Sequence, residues 1–533
     1  MPVIVRPRAA LTRRQFLTTA AASATLAGGG VAMPYLSRAA DRPLISHGIQ
    51  SGDVSVDSGV VWARADRASR MLVDIATTES FKDIRHALYI DALASSDFTA
   101  KALIEGLPPG QDIFYRIRLQ DLSSPTIVGE PMVGRFRTAP TDRRSINFIW
   151  SGDIAGQGFG IDESRGGMRT YATMLKNRPD FFIHSGDNIY ADGPMPAEIK
   201  LSNGDIWKNV VTEAKSKPAE TLEEFRGNFQ YNLLDHNVRA FNAEIPIFAQ
   251  WDDHEVTNNW WPGEPLTRIE HQRKKYVETN ALALAARSSR AFHDYMPMRE
   301  TQVEPGRVYR KISYGPLLDV FMLDERSYRG PNSEDMQTVY GPDAYFMGAE
   351  QLAWLKRELA NSRATWKVIA ADMPISLVVI YDVDRNWGIE AIAQGDPGEP
   401  RGRELEIADL LSFIKRNAIR NTVWLTADVH YTAAHWYDPN KAAFQDFDPF
   451  WEFISGPIHA GTYGPNKLDK TFGPQIVYQK APTQEQGQGL APSYGLQFFG
   501  HVAIDGATEV MTVTLKDVND DALWSTAIEP VKT

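Results

Sequence analysis

The chain has 533 residues, of which 43% are hydrophobic and 11% aromatic, a composition typical of a globular protein long enough for two or three domains. Its 67 acidic and 56 basic residues give a formal charge of −11, so the surface repels a phosphate backbone and we expect no nucleic acid as a structural partner. The absence of cysteine excludes disulfides, zinc–thiolate sites, iron–sulfur clusters and a cysteine nucleophile.

The first 39 residues have the pattern of an export signal. Two adjacent arginines, Arg13 and Arg14, precede a moderately apolar stretch from 18 to 36 and a small-residue segment that ends at Ala39 and Ala40. This pattern predicts a twin-arginine signal peptide over residues 1–39, and therefore a periplasmic or secreted protein that uses the twin-arginine export machinery. A short membrane anchor is the alternative, but three consecutive glycines and several threonines interrupt the apolar stretch, so we expect no stable membrane anchor.

Residues 42–140 predict a small all-β domain. Apolar or alternating runs at 60–64, 71–75 and 114–119 have the length of strands, and the sequence Leu-Pro-Pro-Gly at 107–110 predicts a turn before the last of them. This pattern resembles a fibronectin-like β-sandwich. We expect the sandwich to pack against the domain that follows it and to shape that domain.

Residues 145–533 predict an α/β domain, because strand-like and helix-like segments alternate along the chain. The predicted strands cover 146–150, 181–184, 245–251, 319–323, 366–371 and 422–425, and the predicted helices cover 168–177, 268–290, 351–361 and 407–417. Three long polar segments rich in glycine and proline, 191–225, 376–404 and 462–492, are predicted to be lids or rim loops.

Four acidic or histidine-containing motifs each follow one of these strands. They are Trp150-Ser-Gly-Asp153, Ser185-Gly-Asp-Asn-Ile-Tyr190, Trp251-Asp-Asp-His254 and Thr426-Ala-Asp-Val-His430. In α/β sheets ligands bind beyond the carboxyl ends of the strands, so these side chains predict a two-metal hydrolytic centre. The phenolate of Tyr190 is a hard anionic ligand that suits a ferric ion better than zinc.

In this order the motifs resemble those of the alkaline phosphatase D (PhoD-like) family of metallophosphoesterases. Segments 323–329 and 347–355 look like further family segments, and the resemblance covers residues from about 44 to 530. It implies a metallophosphatase-type βαββα sandwich, preceded by the small fibronectin-like domain. It also implies a ferric ion (Fe3+) with one or more calcium ions (Ca2+) around a bridging carboxylate.

The resemblance assigns roles to the motif residues. It implies that Asp187 bridges the metals and that Tyr190 and His430 bind iron, while Asp153 stands where well-known members have a cysteine. The positions of the second site correspond to Asp253, Asp428 and, more weakly, Asp372. Carboxylates in place of nitrogen donors favour Ca2+, Mg2+ or Mn2+ over Zn2+ at that site, although Zn2+ stays an alternative for the centre.

His254 is the candidate catalytic residue, because it directly follows Asp253. Two adjacent loop residues can direct one side chain to the metal and the next to the substrate, where a histidine can protonate a leaving alkoxide. A buried ion pair is the favoured interpretation of Arg326, and phosphate contact is the alternative. Weaker candidates, for which an orienting or packing role is equally open, are Asn188, Asn258, Asp372 and His435.

The predicted function is that of an exported metal-dependent phosphoesterase. The resemblance implies hydrolysis of small phosphoester substrates, monoesters or diesters or both, by attack of a metal-bound hydroxide. One alternative is a phosphodiesterase of phospholipase D type, which the width of the pocket would distinguish. The other is a non-catalytic surface-binding protein with a vestigial metal site, and the intact set of motif residues argues against it.

Overall fold

The computed structural model describes residues 41–532. The predicted signal peptide at 1–39 therefore lies outside the described residues. Among the described helices, none has both the length and the apolar character needed to cross a bilayer.

The described chain contains 24 β-strands with seven α-helices between them. The strands are β1 (Ile45–Gly52), β2 (Gly59–Ala65), β3 (Ser69–Ala76), β4 (Ile84–Ala92), β5 (Thr99–Ile104), β6 (Asp112–Asp121), β7 (Met132–Arg137), β8 (Ile146–Ser151), β9 (Phe181–Ser185), β10 (Glu198–Lys200), β11 (Ile206–Lys208), β12 (Ile247–Gln250), β13 (Arg310–Ser313), β14 (Leu318–Met322), β15 (Trp366–Ala370), β16 (Ile380–Asp382), β17 (Trp387–Ile389), β18 (Thr422–Thr426), β19 (Thr432–Tyr437), β20 (Phe450–Ile454), β21 (Pro474–Lys480), β22 (Phe498–Ile504), β23 (Met511–Asp517) and β24 (Ala522–Ile528). The α-helices are α1 (Arg169–Lys176), α2 (Leu222–Asn232), α3 (His236–Glu244), α4 (Ile269–Lys274), α5 (Ala281–Tyr295), α6 (Ala349–Asn361) and α7 (Glu404–Arg416).

Two large mixed sheets form the centre of the molecule. The first has the order β24-β23-β22-β8-β9-β12-β1-β2-β5, and the second has the order β13-β14-β15-β18-β20-β19-β21. Strands β8, β9 and β12 are mutually parallel, as are β14, β15, β18 and β20. The parallel strands of each sheet therefore end at one edge of that sheet. The four motifs lie at these edges, because they follow β8, β9, β12 and β18.

The two sheets pack face to face, with helices on the outer face of each. Trp150 and Ile183 from the first sheet share one apolar core with Val320, Leu425 and Phe453 from the second. The other face of the first sheet packs against α1, α3 and α5, and that of the second packs against α6 and α7. Strands covered on both sides read as continuous apolar runs, and all five residues of β9 are buried. The predicted α/β class is confirmed.

The amino-terminal region has the two facing sheets of a β-sandwich. One is the four-stranded sheet β4-β3-β6-β7, and the other is formed by β1, β2 and β5. The second of these is continuous with the large first sheet, because Gly52 of β1 pairs with Ile247 of β12. The domain limits at 42–140 and 145–533 stay a prediction.

The helix predicted over 268–290 is two helices. The chain breaks at Lys275, which has a left-handed φ of 59°, and α5 begins after Asn280, whose side chain accepts a hydrogen bond from the backbone N–H of Leu282. The sequence-based prediction treats this polar stretch as one helix and misses the break because the segments on both sides of it favour helix. The segments predicted as rim loops contain short ribbons, β10–β11 and β16–β17, as well as β21.

Candidate metal centre

Five aspartates in and around the centre share one position relative to their strands. Each lies two residues beyond the last residue of a parallel strand: Asp153 after β8, Asp187 after β9, Asp252 after β12, Asp372 after β15 and Asp428 after β18. Neighbouring strands also end in register, since Ser151 pairs with His184 and Ser185 pairs with Gln250. The equal offset from aligned strand ends brings the carboxylates side by side.

Four residues of the centre have left-handed backbone conformations. The φ angles are 67° at Asp153, 50° at Asp187, 58° at Asp428 and 61° at His430. Such a conformation costs an L-residue about 1–2 kcal/mol, although aspartate tolerates it better than most. The strain bends the chain directly after each strand, and the packed sheets on either side supply the stability that maintains it.

Gly186 allows two of the motif loops to approach closely. Its φ is 87°, and a Cβ atom added to it would lie 2.5 Å from the Cβ of Asp252. No side chain fits at that separation. The glycine that precedes Asp187 in the motif is therefore a requirement of packing between the loops after β9 and β12.

The tertiary structure gathers these side chains into three overlapping groups able to hold metal ions. They are Asp153, Asp187 and His430; Asp187, Asp253 and His254; and Asp252, Asp253 and Asp428, and within each group the potential ligand atoms lie within 4.8 Å of one another. Asp187 belongs to the first two groups and Asp253 to the last two. Of the predicted residues, the structure brings together all six proposed ligands and His254.

Tyr190 lies on the His430 side of the centre. Its hydroxyl is 2.8 Å from Nε2 of His430 and 3.5 Å from Oδ1 of Asp153. Nδ1 of His430 is 2.5 Å from the carbonyl oxygen of Gly461, an acceptor only, so Nδ1 carries the proton and donates it there. Nε2 is then unprotonated, so it can act as a metal ligand, and it faces the same space as the Tyr190 hydroxyl.

The residues fit the cations that the sequence predicts. Among the described residues, Oδ2 of Asp153 and Oδ1 of Asp253 are buried without a hydrogen-bond partner. Burial, and then the neighbouring carboxylates of Asp253 and Asp252, raise the pKa of Asp187 well above its ordinary value. Burial, and then the Asp187 and Asp153 carboxylates, raise the pKa of the Tyr190 phenol in the same way. Multivalent cations would relieve this repulsion and stabilise the ionised ligands.

Arg326 is the fixed positive charge behind the centre. Its fully buried guanidinium donates from Nε to Oδ1 of Asp252 at 2.5 Å, lies 3.5 Å from Asp372, and also pairs with Glu390. Glu390 accepts a second hydrogen bond from Arg329 at 2.8 Å. The sequence-based preference for a buried ion pair over phosphate contact at Arg326 agrees with these contacts.

His254 and Asp428 are the members of the three groups that are partly open to solvent, and the side chain of His254 is 16% exposed. Its ring stacks on Tyr190 with centroids 4.1 Å apart, and its Nε2 lies 3.9 Å from Oδ1 of Asp253. Its backbone N–H donates to Oδ1 of Asp187 at 3.2 Å. His254 is therefore anchored to Asp187 while its ring remains accessible from outside.

A chain of buried charges orients His254 from the far side. Nδ1 of His254 is 2.8 Å from Asp192, which accepts from the ammonium of Lys274 at 2.6 Å; Lys274 also donates to Glu270 at 2.6 Å. Burial alone would lower the pKa of His254, but the carboxylates of Asp192 and Asp253 outweigh it and raise the pKa to about 9. In the metal-free chain the imidazole is accordingly protonated at neutral pH.

Three of the four weaker candidates lie around the centre, and the fourth, His435, lies away from it. Asn188 donates to the backbone oxygen of Gln250 at 2.7 Å, and Asn258 donates to Glu270 at 3.2 Å, so both hold loops in place. Asp372 lies beside Arg326, outside the three groups. His435 is on β19, fully buried and 3.4 Å from Glu452, and does not join the centre.

Sequence reasoning missed Asp252, Asp192 and Lys274. Asp252 adjoins the predicted Asp253, and its shared position two residues beyond a strand was the signal that could have found it. Asp192 lies two residues beyond the motif that ends at Tyr190, but nothing in the sequence indicates its contact with His254. Lys274 is 20 residues beyond His254 in a separate helix, so only the tertiary structure reveals it.

Comparison with known proteins gives consistent matches. A family profile described as PhoD-like phosphatase matches residues 148–515, and one described as PhoD-like phosphatase, N-terminal domain, matches residues 30–140. The chain is 27% identical over 449 residues to alkaline phosphatase D of Bacillus subtilis (strain 168), covering 80% of this chain and 71% of that protein.

Solved structures match the architecture at lower sequence identity. A structure of PhoD has a TM-score of 0.66 at 21% identity and covers 93% of this chain and 90% of its own. Purple acid phosphatase PPD1 from yellow lupin (Lupinus luteus) seeds has a TM-score of 0.54 at 11% identity and covers 92% and 74%. These likenesses confirm the metallophosphatase type of fold that the motifs predicted.

Asp187→Asn is expected to reduce bound metal at least about tenfold, because it removes the charge of the one carboxylate shared by the first two groups while keeping the side chain's size. Elemental analysis of the full chain after dialysis measures the loss. Asp83→Asn, which changes a carboxylate 76% exposed in the amino-terminal sheet, is the matched control. Full metal content in Asp187→Asn would contradict the bridging position.

Arg326→Met is expected to lower the free energy of unfolding of the metal-free chain by about 3–5 kcal/mol, because it leaves buried carboxylates without their counter-charge. Urea denaturation measures this loss, and Arg326→Lys should lose less because it keeps the charge. Arg85→Gln removes an arginine 50% exposed and should change stability by less than about 0.5 kcal/mol. Equal effects of Arg326→Met and Arg85→Gln would refute the role of Arg326.

Proposed function

The chain belongs to the PhoD-like phosphatase family and is a hydrolase, and on that premise we propose that it is an exported phosphoesterase whose activity requires two or more metal ions. The observation that carries the metal dependence is the position of Asp187, which is shared by two groups of potential ligands. Export rests on the twin-arginine pattern of residues 1–39.

We assign the two sides of the centre to different metals. Asp153, Tyr190 and His430 would hold a ferric ion, because phenolate and carboxylate are hard anionic donors. Asp253 and Asp428, together with the newly identified Asp252, offer only oxygen and would hold calcium or a similar hard cation. When bound, these cations would lower the pKa of a water molecule and offset the charge of the phosphoryl oxygens.

His254 is the residue proposed to act on the leaving group. Its ring is accessible to solvent, whereas Asp187 and Asp253 beside it are buried. Because the Asp192 carboxylate raises the pKa of the imidazole, His254 can hold a proton and donate it to the departing alcohol oxygen. Asp192 and Lys274 hold the ring in place from behind, so the proton is directed toward the open side of the centre.

The substrate class is a small phosphoester, a monoester or a diester. The experiment compares p-nitrophenyl phosphate with bis(p-nitrophenyl) phosphate, using metal-loaded full-length protein whose iron and calcium contents are measured together with its visible spectrum. A tyrosinate charge-transfer band with hydrolysis of either ester supports the proposal. Metal-loaded protein that hydrolyses neither ester would overturn it.

His254→Ala is expected to keep its metal but to lose about 10²- to 10⁴-fold in kcat, since a positioned general acid contributes an effect of that size. Metal content and kcat, measured on one preparation, separate the two roles. The loss should be smaller for a substrate with a good leaving group, such as an aryl ester, than for an alkyl ester. Loss of metal along with activity would instead make His254 a ligand.

Asp192→Asn is expected to move the alkaline limb of the pH profile of kcat/KM to lower pH. The Asp192 carboxylate raises the pKa of His254, and the acid form of His254 is lost as pH rises through that pKa, so removing the carboxylate must bring the loss to a lower pH. Asp205→Asn, at a surface position 55% exposed, is the matched control. An unchanged alkaline limb would show that Asp192 does not tune His254.

A further inference from the structure

A cavity of about 600 Å³ opens at the opposite edge of the second sheet from the metal centre. Lys367 at the start of β15 and Asn421 just before β18 line it, together with the ends of α6 and α7 and the chain at 530–532. The metal centre lies beyond the carboxyl ends of the same parallel strands. The cavity and the centre are therefore separated by the length of the strands.

The lining is strongly basic in a protein that is acidic as a whole. Five basic side chains line the cavity with a single acid, Glu509: these are Arg143, Arg363, Lys367, Arg420 and Lys532. Glu509 is already engaged, since it pairs with Arg143 and accepts from the hydroxyl of Thr365 at 2.7 Å. Its charge therefore does not offset the remaining four basic groups.

Two of these basic groups have no acidic partner within the described part of the chain. Arg420 pairs with Asp448, whereas Arg363 and Lys532 are exposed at the cavity and form no ion pair with any described carboxylate. Lys367 lies deeper, 8% exposed, and its ammonium donates to the carbonyl oxygen of Ala364 at 2.6 Å. The mouth of the cavity therefore carries unpaired positive charge above a buried ammonium.

The walls of the cavity are held by specific contacts. Asn421 clamps the end of the chain, because its Nδ2 donates to the carbonyl of Val531 at 3.2 Å and its Oδ1 accepts from the N–H of Val531 at 2.8 Å. The indole of Trp366 donates to the carbonyl of Glu509 at 2.8 Å. The first clamp places Lys532 at the mouth, and the second fixes the opposite wall.

Helix ends account for part of this charge. The carbonyls at the carboxyl ends of α6 and α7 favour nearby cations by about 0.3–1 kcal/mol each. That effect explains a basic residue near each helix end, such as Arg363 after α6 and Arg420 after α7. It does not explain the position of Lys532 or the hydrogen-bonded walls of the cavity. Binding of an anion would explain both.

We propose that this basic cavity binds a small phosphate-bearing anion at a site separate from the metal centre. Its volume is within the range of small-molecule pockets, and guanidinium groups match phosphate oxygens in geometry and charge. Arg363 and Lys532 would contact the anion at the mouth, and Lys367 would contact it from below. The ligand class is inorganic phosphate or a compact phosphate ester.

Equilibrium dialysis of inorganic phosphate against metal-loaded full-length protein at low ionic strength tests this site. Wild type should bind phosphate at one site per chain beyond the metal centre, and the double variant Arg363→Gln/Lys532→Gln should bind it there about tenfold more weakly. Lys82→Gln/Arg85→Gln removes two exposed charges from the amino-terminal sheet and should bind like wild type. Equal binding by both double variants, or no site beyond the metal centre, would overturn the proposal.

Two further readouts separate this proposal from the proposed function and from simple charge attraction. Both double variants should hydrolyse saturating ester at the wild-type rate, because the cavity is remote from the centre. A chain that hydrolysed ester but lacked the second phosphate site would refute the cavity alone. Glucose 6-phosphate should compete with phosphate at the site and glucose should not; competition by both, or by neither, would refute recognition of the phosphate group.

Discussion

Mutual repulsion between buried carboxylates is the constraint on which the centre depends. Two packed sheets place aspartates two residues beyond the ends of five parallel strands, so their charges meet at one edge, where four of the five side chains are buried and water screens them poorly. The raised pKa values of Asp187 and Asp428 are the direct consequence of burial and of their acidic neighbours. Positive charge is needed to stabilise these groups in their ionised form, so the fold itself favours the binding of cations at this edge.

The permanent positive charge of a buried arginine offsets part of that repulsion. Arg326 neutralises the carboxylates on the inner side, and Glu390 holds Arg326 and Arg329 together beneath it. A permanent guanidinium cannot dissociate, so it limits the repulsion in the metal-free chain. The outer carboxylates of Asp153 and Asp253 keep buried oxygens without protein partners, which leaves them available to mobile cations.

The loop that follows His254 connects the centre to its rim. The backbone N–H of Asn259 donates to Asp253 at 2.5 Å, and its side chain donates to the carbonyl of Tyr381 in the β16–β17 ribbon at 3.2 Å. Arg268 donates to the same carbonyl of Tyr381. A candidate metal ligand, the catalytic candidate and a rim ribbon are thus held by one polar network, which explains why this loop is buried although it has little regular structure.

The sequence alone predicted the α/β class, the approximate positions of the strand ends and seven of the side chains that gather there, because apolar runs followed by acidic motifs are local features of the chain. It did not determine the break at Lys275, since both flanking segments favour helix, or the partners of His254 and Arg326, which come from distant parts of the chain. His435 illustrates the same limit. It is only five residues beyond His430 in the sequence, but it belongs to β19 and lies beside Glu452 instead of in the centre. Only the packing of the two sheets decided which charges meet, because Coulomb interactions depend on distance in space and not along the chain.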